Sequence, residues 1–181
     1  RGGASLQEVL ASLRRDHTVS EGIAPLTFSR AAQAYEAVRA SVARHAVETG
    51  NPPAVWLAKF GAPSQWTARA EFARGFLGVG GYKILETVGG AHSVDEALSL
   101  ASEASAEVVV LCATDEDYVK IVSDFASRFK QAKPNSYLIL AGYPTDRIED
   151  YQQAGIDGFI HLRAECLTFL REVNRYLGIT E

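Results

Sequence analysis

The sequence predicts an α/β fold: a five-stranded parallel sheet with helices on both faces, preceded by a helical connector. Three observations carry that expectation. Short apolar runs of strand length recur five times after Pro53, helix-like segments separate them, and residues 1–50 have a different, linker-like character. Continuous apolar strands that alternate with helices mark a parallel sheet buried on both faces, because right-handed crossovers place the helices there.

The connector comes first. Ser5 followed by Glu8 forms a capping box, and Leu6, Val9, Leu10 and Leu13 then recur at helical spacing, which predicts one short amphipathic helix. Residues 16–29, with Gly22 and Pro25, show no sustained period. Over 30–48 the residues Ala31, Tyr35, Val38, Val42 and Ala46 share one face, so a second and longer helix is expected. Gly50, Pro52 and Pro53 end it, since glycine tolerates a left-handed cap and proline cannot continue a helix. The expected organisation is therefore a connector over 1–50 and a domain over 51–181.

The strand-length runs are 54–60, 82–86, 107–113, 137–141 and 157–161. Helix-like segments lie near 65–78, 93–104, 115–131, 145–154 and 164–177. Five β-α units of this kind imply a flavodoxin-like (Rossmann-like) strand order. The helix starts agree: Ser93 with Glu96 is another capping box, and Thr114 precedes Asp115, Glu116 and Asp117 in a first helical turn.

Composition narrows the function classes. A chain of 181 residues with 47% hydrophobic and 22% charged residues can bury a core, so disorder is not the default. The net charge of -4 and the lack of any Lys/Arg run argue against nucleic acid, because phosphate binding needs a concentrated positive field. No apolar run approaches the ~18–20 residues of a membrane span and the N-terminus lacks a signal pattern, so a cytoplasmic protein is expected. Cys112 and Cys166 form no CxxC pair and are expected to be free thiols. The chain starts at Arg1 and contains no methionine, so further sequence is expected upstream.

In an open parallel sheet, ligands bind beyond the C-terminal strand ends, near the switch in strand order. The loops of interest begin at Gly61, Thr87, Thr114, Gly142 and His161. The first reads Phe60-Gly61-Ala62-Pro63-Ser64-Gln65-Trp66-Thr67-Ala68-Arg69, without an acid, a histidine or a GxGxxG. A phosphorylatable receiver would need clustered acids after an early strand to hold Mg²⁺. Asp115 and Asp117 are the nearest candidates, and acids in a first helical turn are already accounted for by the helix dipole. Gly75, Gly78, Gly80 and Gly81 close a helix and precede a strand, the reverse of a phosphate loop, so they are expected to cap. His17, His45, His92 and His161 have no ligand-like spacing. Trp56 and Trp66 are expected in the core or at an interface.

Local strings now support a resemblance. Residues 54–181 resemble the C-terminal domain of the methylmalonyl-CoA mutase family, and in particular its small subunit. Val55-Trp-Leu-Ala-Lys-Phe-Gly61, Thr67-Ala-Arg-Ala-Glu-Phe-Ala73, Gly80-Gly81, Ile160-His-Leu-Arg-Ala164, Leu170-Arg-Glu and Tyr176-Leu-Gly-Ile179 carry it. Gly2-Gly-Ala-Ser-Leu6 and Ala24-Pro-Leu26 resemble the family's connector.

In catalytic members the first loop carries Asp-x-His-x-x-Gly, whose histidine is the lower axial ligand to cobalt. Its three positions fall here on Pro63, Gln65 and Ala68. Glutamine offers no imidazole nitrogen, and proline offers no carboxylate to orient a ligand. The family's Ser-x-Leu falls on Cys112, Ala113 and Thr114, its Gly-Gly on Ala141 and Gly142, and its last glycine-rich turn on His161, Leu162 and Arg163. The resemblance thus implies a non-catalytic chain with no catalytic, cofactor-binding or metal-binding residues. Adenosylcobalamin and the isomerisation of methylmalonyl-CoA to succinyl-CoA, a step of propionate metabolism, would belong to a homologous large subunit in a heterodimer. The alternative is a domain that holds a corrinoid without a histidine ligand, and a third reading is a receiver-like regulatory domain.

Overall fold

The computed structural model describes residues 5–7, 10, 30 and 32–180. The chain divides into two units, Arg1–Arg30 and Ala31–Glu181, and every element described here belongs to the second. The expected helix over Leu6–Leu13, apart from Leu6, Gln7 and Leu10, and the linker over 16–29 lie outside the described residues.

Helix α1 (Gln33–Thr49) ends at Gly50, whose φ of +78° is the left-handed cap expected there. Five β-α units follow: β1 (Ala54–Lys59), α2 (Pro63–Gly78), β2 (Lys83–Glu86), α3 (Val94–Glu103), β3 (Val108–Cys112), α4 (Asp115–Ala132), β4 (Tyr137–Ala141), α5 (Ile148–Ala154), β5 (Gly158–Ile160) and α6 (Cys166–Tyr176). The strands pair in parallel in the order β2-β1-β3-β4-β5. From β1 the chain runs outward to β2 and then returns to β3 on the other side, so the switch in strand order lies between β1 and β3.

Strand alternation sorts the core into two layers. Trp56, Ala58, Val109, Leu111, Leu138 and Leu140 face α3, α4 and α5, where Ala97, Tyr118, Val122, Phe125 and Tyr151 meet them. Val55, Leu57, Val108, Val110, Ile139 and Ile160 face the other way, against Ala70, Ala73 and Leu77 of α2 and Leu170 and Val173 of α6. Each large apolar side chain buried here contributes about 1.5–3 kcal/mol. The aromatic centre of the first layer is Phe125, stacked on Phe129 at 5.5 Å and edge-on to Phe60 at 5.7 Å.

Helix α1 was expected within the connector, yet Val38 and Val42 lie fully inside the second layer beside Tyr82 and Leu170. The Arg39 guanidinium donates to the carbonyls of Gly78 and Val79, at 3.2 and 3.3 Å, and so caps the end of α2. The glycines after α2 form the turn into β2, with Gly81 at φ +88° and its N–H on the Gly78 carbonyl. Among the described residues, no helix is long and apolar enough to cross a membrane.

Candidate functional site at the strand ends

The loops after β1, β3, β4 and β5 meet at one rim, and the turn after β1 sets its geometry. Gly61 takes φ +78°, which favours glycine, and a Cβ there would displace the Gln65 side-chain amide from its place. Pro63 opens α2 at its first position, where the missing N–H costs nothing. Gln65, in the same first turn, accepts the Ala62 N–H on Oε1 at 2.7 Å and donates from Nε2 to Asp117 Oδ2 at 2.8 Å. Both ends of its amide are occupied.

Asp117 is held from its own side. The Thr114 hydroxyl donates to Asp117 Oδ2 at 2.6 Å and accepts the Asp117 N–H at 3.2 Å, the cap that the sequence predicts for α4. One helical turn beyond Gln65, Arg69 Nη2 donates to Asp115 Oδ1 at 2.7 Å. Its guanidinium lies 4.8 Å from the centre of the Tyr118 ring. Nη1 is buried without a hydrogen-bond partner, and a Cβ on Gly142 would stand 3.1 Å from it.

Tyr118 closes the floor. Its hydroxyl accepts the Ala113 N–H at 3.2 Å and lies 2.9 Å from the carbonyls of Leu111 and Ala141, so it ties the ends of β3 and β4 together. Burial pushes this phenol far up from the ordinary tyrosine range. The Cys112 thiol beside it is buried and pushed up to about 12, chiefly by desolvation, which leaves no thiolate for nucleophilic chemistry near neutral pH.

Of the hollows that Arg69 lines, two open beside α2. One, of about 630 Å³, is lined by Ser64, Gln65, Ala68 and the first turn of α4. The other, of about 430 Å³ and largely apolar, is lined by Phe72, Ala141, Gly142, Ile160 and Leu162. Beyond β5, His161 packs on Tyr143 at 4.4 Å and accepts the Arg163 N–H on Nδ1 at 3.3 Å, while Leu162 is 91% exposed. Beside β2, the buried Lys59 donates to the Thr87 carbonyl at 2.7 Å and sits 4.3 Å from the Trp66 ring.

The fold therefore brings to one rim the positions matched to the family's loop motifs: Pro63, Gln65 and Ala68 on α2, Cys112 to Thr114 after β3, Ala141 and Gly142 after β4, and His161 to Arg163 after β5. Histidines stay apart, with His45 on α1, His92 before α3 and His161 on the rim, while His17 lies outside the described residues. No group of three or more His, Cys, Asp or Glu side chains among the described residues is placed to hold a metal ion. Sequence reasoning missed Arg69, and it assigned Asp115 and Asp117 to the helix dipole alone. The available signal was the four-residue spacing of Gln65 and Arg69, which puts both on one face of α2.

The strand order and the rim at its switch point define a flavodoxin-like α/β domain. No family model matches the chain. Among solved structures, a CheY-like protein from Pseudomonas aeruginosa superposes with a TM-score of 0.53 at 15% identity, over 71% of this chain and 96% of that one. The receiver domain of a sensor histidine kinase from the same organism, with magnesium coordinated in its active-site cleft, gives 0.50 at 13% identity, over 70% of this chain and 98% of that one. Those likenesses establish the fold.

The more specific relationship is to the methylmalonyl-CoA mutase small subunit of Porphyromonas gingivalis, 31% identical over 170 residues that make up 94% of this chain. The chain spans 26% of that relative's length and is homologous to that portion of it.

Proposed function

We propose that this chain is the C-terminal part of the small, non-catalytic subunit of a heterodimeric methylmalonyl-CoA mutase and that its role is structural. In this reading, the large subunit binds adenosylcobalamin and converts methylmalonyl-CoA to succinyl-CoA, and the rim described above holds no corrinoid. Support for the assignment comes from the 31% identity over nearly the whole chain. The loss of the cobalamin site rests chiefly on one observation: Gln65 stands where the family's histidine would be, and both ends of its amide are already bonded within the chain.

The rest of the rim points the same way. Adenosylcobalamin bound here would need a nitrogen ligand from the first loop and open space above the strand ends. Pro63 and Gln65 supply no such ligand, Arg69 Nη1 stands 3.1 Å from where a Cβ on Gly142 would lie, and Leu162 and Arg163 replace the family's glycine-rich turn after β5. The residues do not fit the group, and no catalytic step is assigned to this chain. A partner that binds only the folded large subunit stabilises it by mass action, which gives a reason to retain such a copy.

The stoichiometry of the assembled enzyme tests this. Small subunit carrying this sequence, mixed with the large subunit and saturated with adenosylcobalamin, is expected to form a heterodimer containing one corrinoid. Failure to associate, or two corrinoids per heterodimer, would overturn the proposal.

A further inference from the structure

We infer that the pairs Gln65–Asp117 and Arg69–Asp115 form a latch that orders the β1–α2 turn and the first half of α2 without any ligand. The need for one is visible in the burial pattern. No residue of α2 before Ala70 is buried, whereas Ala70, Ala73 and Leu77 anchor the second half in the core. The first half is a helix start facing an open crevice, with little apolar burial to hold it down.

Two side chains one helical turn apart on α2 reach two acids in the first turn of α4. Gln65 Nε2 lies 2.8 Å from Asp117 and Arg69 Nη2 lies 2.7 Å from Asp115. The same Gln65 amide accepts the Ala62 N–H, so one residue both caps α2 and binds it to α4. Acids at a helix start are favoured by the macrodipole, and here the same carboxylates serve as acceptors for a second helix. Arg69 is also seated on the Tyr118 ring, which is fixed by its bonds to both strand ends. Trp66 provides a hold on the opposite side, donating to the Gly61 carbonyl at 3.2 Å and stacking under Lys59. The segment that surrounds a ligand in binding domains of this architecture is thus pinned by the chain itself.

Hydrogen exchange of the 181-residue protein reads the latch directly. In Gln65→Ala/Arg69→Ala, amides from Gln65 to Ala70 are expected to exchange at least tenfold faster, while those of β3 and β4 keep their protection. Asp115→Ala/Asp117→Ala, made on α4, is expected to reproduce the effect on the same α2 amides, and it decides the matter if the first variant unfolds. Unchanged exchange of these amides when the acids are replaced overturns the inference. The latch builds on the reading that the rim is empty of corrinoid, yet the two fail separately. Cobalamin binding by the wild type would sink that reading, whereas unchanged exchange sinks only the latch.

Discussion

Tyr82 donates its phenol proton to the Asn174 side-chain oxygen across 2.6 Å, and the Asn174 amide nitrogen donates onward to Ser41 at 3.2 Å. All three side chains are buried, and they join the turn before β2, helix α6 and helix α1. Burial pushes the Tyr82 phenol well above its ordinary value, so it stays a donor throughout the accessible pH range. This network, with Val38 and Val42, makes α1 part of the domain that follows it. Asn174→Ala is expected to cost about 1–3 kcal/mol, because it removes the short acceptor of the Tyr82 hydroxyl, leaving only the Leu170 carbonyl at 3.3 Å, and takes away the link to Ser41. Urea unfolding would measure it. A chain beginning at Ala31 should likewise unfold at higher urea than one beginning at Asn51.

Two glycines of the same unit should respond in opposite directions. Gly61→Ala meets both a left-handed φ and the Gln65 amide, and a loss of about 1–3 kcal/mol is expected. Gly75 lies inside α2, and nothing stands within 4 Å of the place an alanine methyl would take, so Gly75→Ala should raise stability by about 0.5–1 kcal/mol. Thermal or urea unfolding of the two variants side by side makes the comparison.

Phe125 is fully buried between Phe60 and Phe129. Phe125→Ala leaves a cavity in the layer that binds α4 to the sheet and is expected to cost about 3–5 kcal/mol. A midpoint shift with an unchanged denaturant slope would identify this as lost packing and not a change in the unfolded state.

The acid side of the stability curve depends on Glu86. Partial burial works to raise its carboxyl, but Arg74, with Nη2 and Nε at 2.6 and 2.8 Å, and Lys59 together hold it below the usual glutamate range. A depressed folded-state value adds stability that is fully present above the unfolded value, ~4.3, and is lost as pH falls through the folded one. Arg74→Ala should therefore destabilise the protein at pH 7, with the deficit shrinking as Glu86 protonates. Urea midpoints at pH 7 and in acid would show a constant deficit if the pair contributes nothing.

The elements were legible in the sequence because their signals are local. The run at 137–141 became β4 at the same bounds, Thr114 capped α4, and Ser93 accepted the Glu96 N–H at 3.1 Å. The Glu96 carboxylate accepted the His92 N–H in place of that of Ser93, a shift of one residue from the expected box. The rim positions were also legible, since strand ends converge in any sheet of this order. The pairings of Gln65 with Asp117 and of Arg69 with Asp115 were not. They span 52 and 46 residues, and no periodicity encodes a contact that depends on how α2 and α4 lie over β1 and β3. The docking of α1 was hidden for a related reason: its apolar face is visible in sequence, but the surface that covers it is formed by residues near 80 and 170.

The most direct test of the account is titration of this chain with adenosylcobalamin, following heat and the visible spectrum together. No binding is expected at high micromolar concentrations, in the wild type and equally in Gln65→His, where Pro63 still supplies no carboxylate to orient the histidine. Saturable binding by the wild type, with a shift in the corrin spectrum, would contradict it.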